Sequence, residues 1–407
     1  MKKIIVNGGL SLRGKVVPQG SKNAALPILF ATLLTDGVSV LRRVPEIGDV
    51  EVAIRILKSF GASVIRDGEC LIVDTRSLKY TKPDSALTSK IRASSYLIGA
   101  SLGRFGLVEI APIGGCDFDK RPIDMHLAAA AALGVERFGD TLTAKKLVGG
   151  EITFDKVSVG ATINALLMAS VAEGKTVIKG GAREPHVLSL AEFLISAGAD
   201  IAYDGDKVFV TGRPLRGGNY TVIPDMIEAG TYLSLAPLTD GEITVEGNVA
   251  VYLDAFLNLF KAGGASVTAD SAQTTFRGNL TAEINVKTEP YPGYPTDLQP
   301  QLCPLMARFF GGSIEETVWR GRFGYLEALS RFGVGYTRYE SFAKIHPSEL
   351  KGASVHSPDL RGGAACLMAA LAAKGKSEIY MPEVIMRGYE RLEEKLSSLG
   401  ADVKIVD

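Results

Sequence analysis

Apolar and polar positions along the chain repeat one pattern six times. Each copy is an amphipathic run with apolar residues at helical spacing, followed by Gly, a small residue and a short apolar run typical of a strand. The copies contain the glycines Gly61, Gly134, Gly198, Gly264, Gly333 and Gly400, which lie 64 to 73 residues apart. Glycine adopts the left-handed conformation that commonly ends a helix, so we predict six helices that end at these positions and lead into strands.

A second helix is predicted upstream in each repeat. These runs are rich in Ala and Leu and end in Gly: NAALPILFATLLTDG, RASSYLIGASLGRFG, GATINALLMASVAEG, EAGTYLSLAPLTDG, LQPQLCPLMARFFGG and RGGAACLMAALAAKG. They are apolar on nearly every face, which is typical of helices buried between layers, whereas the downstream helices carry a charged face. Two helices and several short strands per repeat predict a layered α/β fold with two domains of three repeats each.

The domain boundary is predicted near TVIPDMIEAG, between the third and fourth repeats. This cut places residues 22–223 in a first domain and residues 1–21 and 224–407 in a second. The N-terminal strand Lys3–Val6 is expected to pair with the second half of the chain. A length of 407 residues suits two domains of about 200 residues each.

Charge and cysteine content narrow the class of protein. Lys plus Arg and Asp plus Glu both number 45, a balance that argues against a nucleic-acid-binding protein. The four cysteines form no pair at metal-ligand spacing, which argues against a zinc site and a disulfide framework and favours a reducing compartment. No signal-peptide core is present, and the longest apolar helix candidate, residues 24–34, is shorter than the roughly 20 residues that span a bilayer. We therefore expect a cytoplasmic protein without a membrane partner.

Charged or amide residues stand where each buried helix begins. The segments are QGSKNAA, TSKIRASS, FDKVSVGAT, IPDMIEAGT, YPTDLQPQ and SPDLRGGAA. Helix N-termini present unpaired N–H groups and a partial positive charge, so six of them directed at one cleft would bind anions strongly. The pattern favours phosphate or carboxylate ligands.

Segments from every repeat resemble, in order and over the full length, the enolpyruvyl transferases. The segments are GSKNAALPILFATLL, RASSYL, GGC with RPIDMH, DKVSVGAT, AREP, IEAGTYL, YPTDLQPQ, ETV with RF, DLR and RGYERLEEKL. The resemblance implies two inside-out α/β barrel domains with threefold pseudosymmetry and an active site in the cleft between them. KNAALP and the cysteine loop are typical of the amino-sugar branch, and the shikimate-pathway EPSP synthases lack that loop.

This branch transfers the enolpyruvyl group of phosphoenolpyruvate to the 3-hydroxyl of UDP-N-acetylglucosamine and releases phosphate. The reaction is the first committed step of peptidoglycan synthesis and needs neither a metal nor an organic cofactor. The implied mechanism is addition followed by elimination. We expect a monomer.

The resemblance assigns phosphoenolpyruvate to one lysine and four arginines: Lys22, Arg92, Arg121, Arg322 and Arg387. The planar guanidinium group can bind a phosphate and a carboxylate bidentately. Asp359 and Arg361 are supporting candidates. The alternatives are ordinary surface arginines at Arg92 and Arg121 and, at the start of the first buried helix, a solvated base followed by a helix cap.

The nucleotide sugar is assigned to residues from both domains: Asn23, Arg92, Arg121, Pro122, Ile123, Asp124, Met125, Lys156, Ser158, Val159, Gly160, Asp297 and Val318. Residues 121–125 are implied to hold the uracil and residues 156–160 the diphosphate, a suitable use of backbone N–H groups at a helix start. The alternative for the second segment is a turn of small residues. His126 matches too, although a lone histidine is as often structural.

Catalysis is assigned to Cys116, Asp297 and Lys22. Cys116 lies behind two glycines and close to Lys120 and Arg121, which lower a thiol pKa, so it is suited to donate a proton or attack carbon. The resemblance implies that it protonates the methylene carbon of phosphoenolpyruvate, forms a covalent adduct and is alkylated by fosfomycin. The alternative is an unreactive loop thiol. Asp297 is implied to be the base for the acceptor hydroxyl, and it also suits a helix N-cap.

The other three cysteines, Cys70, Cys303 and Cys366, lie in apolar segments and are predicted to be packing residues.

Several positions depart from the family pattern. Phe118, Asp119 and Lys120 follow the cysteine where small residues are usual. Met226 stands where Arg is usual, His186 replaces Glu, Gly321 replaces Asn and Gly362 replaces Ala. These departures leave open a paralogue with a different nucleotide or sugar acceptor, and a non-catalytic binder of nucleotide sugars on the same scaffold.

Overall fold

The computed structural model describes residues 2–115 and 122–407. They form two compact units, each with its own apolar core. We call residues 20–115 and 122–223 the inserted unit, and residues 2–19 and 224–407 the terminal unit.

The helices and strands alternate along both units. The helices are α1 Lys22–Ala31, α2 Gly48–Ser59, α3 Ser85–Thr88, α4 Leu97–Phe105, α5 Asp124–Ala132, α6 Val159–Ala169, α7 Pro185–Ser196, α8 Met226–Leu238, α9 Asp254–Ala262, α10 Gln299–Arg308, α11 Tyr325–Arg331, α12 Leu360–Ala372, α13 Pro382–Met386 and α14 Leu392–Ser398. Short 3-10 turns span Thr32–Leu34, Arg92–Tyr96, Ala250–Tyr252 and Thr296–Leu298.

The strands are β1 Lys3–Gly8, β2 Arg13–Val16, β3 Thr35–Asp36, β4 Val38–Arg42, β5 Ser63–Asp67, β6 Cys70–Asp74, β7 Leu107–Glu109, β8 Glu136–Phe138, β9 Thr141–Thr143, β10 Glu151–Thr153, β11 Lys175–Lys179, β12 Asp200–Asp204, β13 Lys207–Thr211, β14 Leu215–Arg216, β15 Asn219–Thr221, β16 Glu242–Glu246, β17 Ser266–Ala269, β18 Gln273–Arg277, β19 Ile284–Thr288, β20 Gly312–Glu316, β21 Gly335–Arg338, β22 Phe342–His346, β23 Ser354–His356, β24 Gly375–Tyr380 and β25 Asp402–Val406.

One sheet arrangement recurs in both units. In β15-β4-β6-β5, β10-β11-β13-β12, β2-β16-β18-β17, β19-β20-β22-β21 and β23-β24-β1-β25, the first pair is parallel and the next two are antiparallel. The sheet β7-β9-β8 has the same order without the parallel edge strand, and β3 pairs with β14 separately. Each recurring sheet takes a strand that follows a buried helix and a strand that follows an outer helix. The sixfold repeat of the sequence is therefore a repeat of structure.

The N-terminal strand completes the last of these sheets. β1 lies between β24 and β25, with Ile4 opposite Ile379 on one side and Ile405 on the other. Ile4 and Val6 are fully buried in the core of the terminal unit. The predicted pairing of this strand with the second half of the chain is confirmed.

Helices of both predicted classes occur in the structure. All thirteen residues of α12 are buried, and α1, α6, α8 and α10 are buried over most of their length. The outer helix α2 instead exposes a charged face. The six repeat glycines have φ between 85° and 111°, the left-handed conformation expected at these helix ends. No helix in the described ranges combines the length and the apolar character needed to cross a membrane.

Candidate functional site

Two of the predicted site residues, Cys116 and Arg121, lie outside the described residues. The remaining candidates fall into two groups, one in each unit. We describe the terminal unit first, because it holds the predicted base Asp297.

Asp297 lies in the 3-10 turn immediately before α10. Its Oδ1 accepts a hydrogen bond from Nη1 of Arg322 at 2.9 Å. Its Oδ2 accepts from Nη2 and Nε of Arg361 at 3.1 and 3.3 Å. The N-cap position of α10 is occupied by Leu298, and neither this helix nor the turn has a side-chain cap, so the alternative reading of Asp297 as an N-cap is wrong. The carboxylate is held by two cations.

Both guanidinium groups are almost completely buried. Arg361 is 2% exposed and Arg322 is 5% exposed, whereas the Asp297 side chain is 28% exposed. Burial is the largest single effect and by itself lowers the pKa of Arg361, but the attractions of Asp297, Tyr389 and Asp225 together outweigh it and raise the net pKa above its usual value. The Asp297 carboxylate is therefore bound by two buried guanidinium groups and remains partly exposed to solvent.

Asp359 fixes the start of the helix that carries Arg361. It is the N-cap of α12, and its Oδ1 accepts from the backbone N–H groups of Arg361 at 2.9 Å and Gly362 at 3.0 Å. The cap fixes the first turn of the helix from which Arg361 extends.

Two departures from the family pattern have a local explanation. Gly321 has φ of +82°, and Asn is one of the few other residues that adopt this conformation, so the usual Asn and the Gly found here suit the same backbone. A Cβ at Gly362 would lie 2.5 Å from Cβ of Tyr325. Glycine is therefore needed at position 362 beside this tyrosine.

The other terminal-unit candidates lie in short connecting segments. Val318 is half-buried two residues after β20, and its N–H donates to the carboxylate of Glu316 at 2.9 Å. Arg387 is the C-cap of α13, two residues before Tyr389. The hydroxyl of Tyr389 lies 3.5 Å from Nη1 of Arg361.

In the inserted unit, Lys22 is the first residue of the buried helix α1. Its side chain is 13% exposed, and Nζ lies 3.4 Å from Oδ2 of Asp49 in α2. The alternative reading of a solvated base is therefore wrong. The N-cap of α1 is Ser21, so Asn23 lies inside the first turn and is not the cap.

Asn164 links Gly160, in one segment predicted to bind the nucleotide sugar, to His126, the residue that follows the other segment. Its Oδ1 accepts from the N–H of Gly99 at 2.6 Å, which fixes the orientation of the amide. Its Nδ2 therefore faces Nδ1 of His126 at 2.9 Å and the carbonyl of Gly160 at 3.1 Å. Nδ1 of His126 is the acceptor, which places the proton of the neutral imidazole on Nε2.

The imidazole of His126 is buried against the start of α6. Burial is the main cause that lowers the pKa of His126 to about 4, and the nearby charge of Arg92 lowers it further. A Cβ at Gly160 would lie 2.8 Å from Cε1 of the ring, so glycine is needed for this contact. Ser158 is the N-cap of α6 and accepts from the N–H of Ala161 at 3.3 Å.

The remaining candidates of the inserted unit lie at helix starts or in loops. Arg92 opens the 3-10 turn before α4, and Asp124 opens α5. Ile123, Met125 and Val159 pack against the core. Pro122 and Lys156 are exposed.

Two of the packing cysteines behave as predicted. Cys303 and Cys366 are fully buried. Burial raises the pKa of Cys303 to about 12 and raises that of Cys366 above the ordinary range, so both thiols are protonated and unreactive at neutral pH. Cys70 is half-buried at the start of β6.

Comparison with known proteins identifies the family. The family described as EPSP synthase (3-phosphoshikimate 1-carboxyvinyltransferase) matches residues 6–396. The chain belongs to this family of enolpyruvyl transferases, and the resemblance predicted from the sequence is confirmed.

Two relatives match the chain over all or nearly all of its length. The chain is 40% identical over 414 residues to a UDP-N-acetylglucosamine 1-carboxyvinyltransferase of Halothermothrix orenii, with 100% of both proteins covered. It is 41% identical to UDP-N-acetylglucosamine 1-carboxyvinyltransferase 3 of Caldanaerobacter subterraneus subsp. tengcongensis, with 99% of both covered.

Solved structures confirm the predicted fold class. The enolpyruvyl transferase NikO from Streptomyces tendae matches with a TM-score of 0.88 and 25% identity, covering 100% of this chain and 99% of NikO. An EPSP synthase from Acinetobacter baumannii matches with a TM-score of 0.76 and 17% identity over 100% of both chains, a likeness of fold alone. The protein has the EPSP synthase fold.

Proposed function

We propose that the protein transfers the enolpyruvyl group of phosphoenolpyruvate to the 3-hydroxyl of UDP-N-acetylglucosamine and releases phosphate. The full-length relatives at about 40% identity support this acceptor. The structural observation that carries the proposal is the Asp297 carboxylate, bound by two buried guanidinium groups and partly open to solvent. The two guanidinium groups fix the position of this carboxylate, and its exposed part can meet the hydroxyl whose proton it is proposed to accept.

The proposed reaction is an addition followed by an elimination. Cys116 donates a proton to the methylene carbon C3 of phosphoenolpyruvate, which creates positive character at C2. Asp297 accepts the proton of the sugar 3-hydroxyl as its oxygen bonds to C2. In the elimination, the C2–O bond to phosphate breaks and the leaving phosphate takes up the proton held by Asp297, while C3 returns a proton to the Cys116 thiolate, which leaves the enol ether and restores both groups.

Cations are proposed to hold the negative charges of phosphoenolpyruvate. Lys22, Arg92 and Arg121 would act from one half of the sequence, and Arg322 and Arg387 from the other. Arg322 would have two tasks, because it also binds Asp297. Guanidinium groups that are already fixed by a carboxylate lose little freedom when they bind a substrate anion.

The nucleotide sugar is proposed to bind along residues 121–125 and 156–160, with Asn23, Arg92, Asp297 and Val318. The contacts of Asn164 with His126 and Gly160 support this proposal, because they link the second segment to the residue that follows the first. The helix start at residues 158–160 offers backbone N–H groups to the diphosphate. Because His126 is neutral, Lys156 and the arginines would balance the negative charges of the diphosphate.

The cellular role follows from the reaction. We propose that the protein acts in the cytoplasm as a monomer, at the first committed step of peptidoglycan synthesis, and thereby supports cell-wall biogenesis, cell shape and division. Cys116 would be the target of fosfomycin.

The second candidate function is transfer of enolpyruvyl to a different nucleotide or sugar acceptor. The similarity to NikO, an enolpyruvyl transferase, and the departures at Met226 and His186 favour it. Phosphate release from phosphoenolpyruvate, measured across a panel of nucleotide sugars, separates the two. We expect turnover with UDP-N-acetylglucosamine, and its absence alongside turnover of another acceptor would reject the proposal.

A non-catalytic binder is the remaining class. Asp297→Asn serves as the control, because the amide keeps the shape of the carboxylate and cannot accept the proton. Turnover by the wild type that is lost in this variant would dispose of the binder.

A further inference from the structure

A second carboxylate, Glu316, lies behind the Asp297 site and has no role in the reaction as described so far. It is the last residue of β20, it is fully buried, and no segment of the family resemblance assigned a function to it. A buried carboxylate is costly unless its oxygens are satisfied by donors. The groups that donate hydrogen bonds to Glu316 therefore indicate which parts of the structure it holds in place.

Oε1 of Glu316 holds the turn after β20. It accepts from the backbone N–H groups of Val318 and Trp319, both at 2.9 Å. It also accepts from the hydroxyl of Thr288 at 2.8 Å. The Thr288 hydroxyl receives the N–H of Thr317 at 3.0 Å, so its own proton is free to point at the carboxylate.

Oε2 of Glu316 faces the residue next to Asp297. It accepts from the hydroxyl of Thr296 at 2.9 Å. The same hydroxyl oxygen accepts from Nη1 of Arg322 at 2.9 Å, and a guanidinium can only donate. The direction of both bonds is thereby fixed: Arg322 donates to Thr296, and Thr296 donates to Glu316.

Nη1 of Arg322 also donates to Oδ1 of Asp297 at 2.9 Å. One nitrogen is therefore shared by the Thr296 hydroxyl and the proposed base. Arg322 is 5% exposed, so protein groups and not solvent fix the position of this nitrogen.

We infer that Glu316 is a positioning residue for the transfer reaction: it acts through Thr296 on Arg322, and through Arg322 on phosphoenolpyruvate and the Asp297 carboxylate. The inference rests on the proposed function, since it takes Arg322 and Asp297 as groups that meet the substrates. Oε1 of Glu316 fixes the turn that carries Val318, and Val318 is a proposed contact of the nucleotide sugar.

The variant Glu316→Gln distinguishes the roles of the two carboxylate oxygens. The Val318 and Trp319 N–H groups can only donate, so the amide oxygen of Gln must face them and its NH2 group must face Thr296. The Thr296 oxygen then receives two donors, and its own proton loses the carboxylate. The turn that carries Val318 is kept, and Arg322 can still donate to Thr296, but the carboxylate acceptor that oriented the Thr296 hydroxyl for this contact is lost.

The expected result differs between the two substrates. Glu316→Gln should lower kcat/KM for phosphoenolpyruvate by about 10- to 100-fold, the range for loss of a hydrogen bond to a charged group. Binding of UDP-N-acetylglucosamine, measured by titration calorimetry, should change by less than about threefold. A merely structural defect would weaken both.

Variants of Thr296 test the same link without altering the carboxylate. Thr296→Val should resemble Glu316→Gln, whereas Thr296→Ser keeps the hydroxyl and should restore most of the activity. The double variant Glu316→Gln with Thr296→Val should lose little more activity than the worse single variant, because both substitutions interrupt the same link from Glu316 through Thr296 to Arg322.

Thr288→Val is the matched control, because it removes a hydroxyl from the opposite oxygen of the same carboxylate. It should not impair phosphoenolpyruvate more than the nucleotide sugar.

The outcomes are distinct. With an active wild type, three results would overturn the inference and leave the proposed function standing. They are additive losses in the double variant, a Thr296→Ser variant as impaired as Thr296→Val, and equal losses for both substrates. A wild type that transfers no enolpyruvyl group would overturn the proposed function and the inference with it. The Thr296 pair decides the matter even if Glu316→Gln does not fold.

Discussion

The clamp on Asp297 predicts that this residue stabilises the terminal unit as well as serving the reaction. In Asp297→Asn the side chain keeps its shape, but Arg361 and Arg322, which are 2% and 5% exposed, lose the negative charge of Asp297. Breaking a buried ion pair costs about 3–5 kcal/mol because an unpaired charge is left behind. The Asp297 side chain is 28% exposed, so solvent screening lowers the expected loss to about 2–3 kcal/mol.

Urea unfolding followed by circular dichroism measures this loss. Asp254, an exposed acid in the first turn of α9, offers a matched control: Asp254→Asn should cost less than about 1 kcal/mol. Arg361→Met added to Asp297→Asn removes one of the two buried cations that have lost the charge of Asp297 and should recover about 1 kcal/mol or more. An Asp297→Asn variant within about 0.5 kcal/mol of the wild type would refute the reasoning.

Three further predictions concern other parts of the site. The pKa of His126 is about 4 in the folded protein against 6.5 in the unfolded chain, so a contribution of about 3 kcal/mol to the free energy of unfolding is present above pH 6.5 and is lost as the pH falls to 4. The His126→Gln variant should lose less stability than the wild type over this interval, and parallel curves of unfolding free energy against pH for the two proteins would contradict the prediction. Arg387→Ala should weaken phosphoenolpyruvate binding at least about 10-fold more than nucleotide-sugar binding, since it removes a charged contact to the anion, and calorimetry showing equal losses would refute its placement. Cys116→Asp should keep turnover and resist fosfomycin, because a carboxylic acid can donate a proton but is not alkylated in the same way; full sensitivity in an inhibition assay would exclude the proposed role.

The repeat architecture could be predicted from the sequence because its signals are local. A glycine after an amphipathic run marks a helix end wherever it occurs, and the apolar faces of the upstream helices report their burial directly. The pairing of β1 with the second half of the chain could be predicted as well, since a short apolar strand needs partners to bury its apolar residues, but its partners β24 and β25 could not.

The site was less predictable because its contacts join distant positions. Asp297 suited an N-cap by its place before a helix, but its partners Arg322 and Arg361 lie 25 and 64 residues away. Asn164 and Glu316 were missed for a similar reason. Each is a polar residue in or beside an apolar element, and this was the only signal available: a buried polar group must have a partner, but the sequence does not say which.

The proposed transfer is tested most directly by the structure of its product. Purified protein incubated with phosphoenolpyruvate and UDP-N-acetylglucosamine should form one equivalent of phosphate for each enol ether at the 3-oxygen of the sugar, seen by NMR and mass spectrometry. The account predicts that this product appears with the wild type and is lost with Asp297→Asn. Unchanged UDP-N-acetylglucosamine after prolonged incubation with the wild type would contradict it.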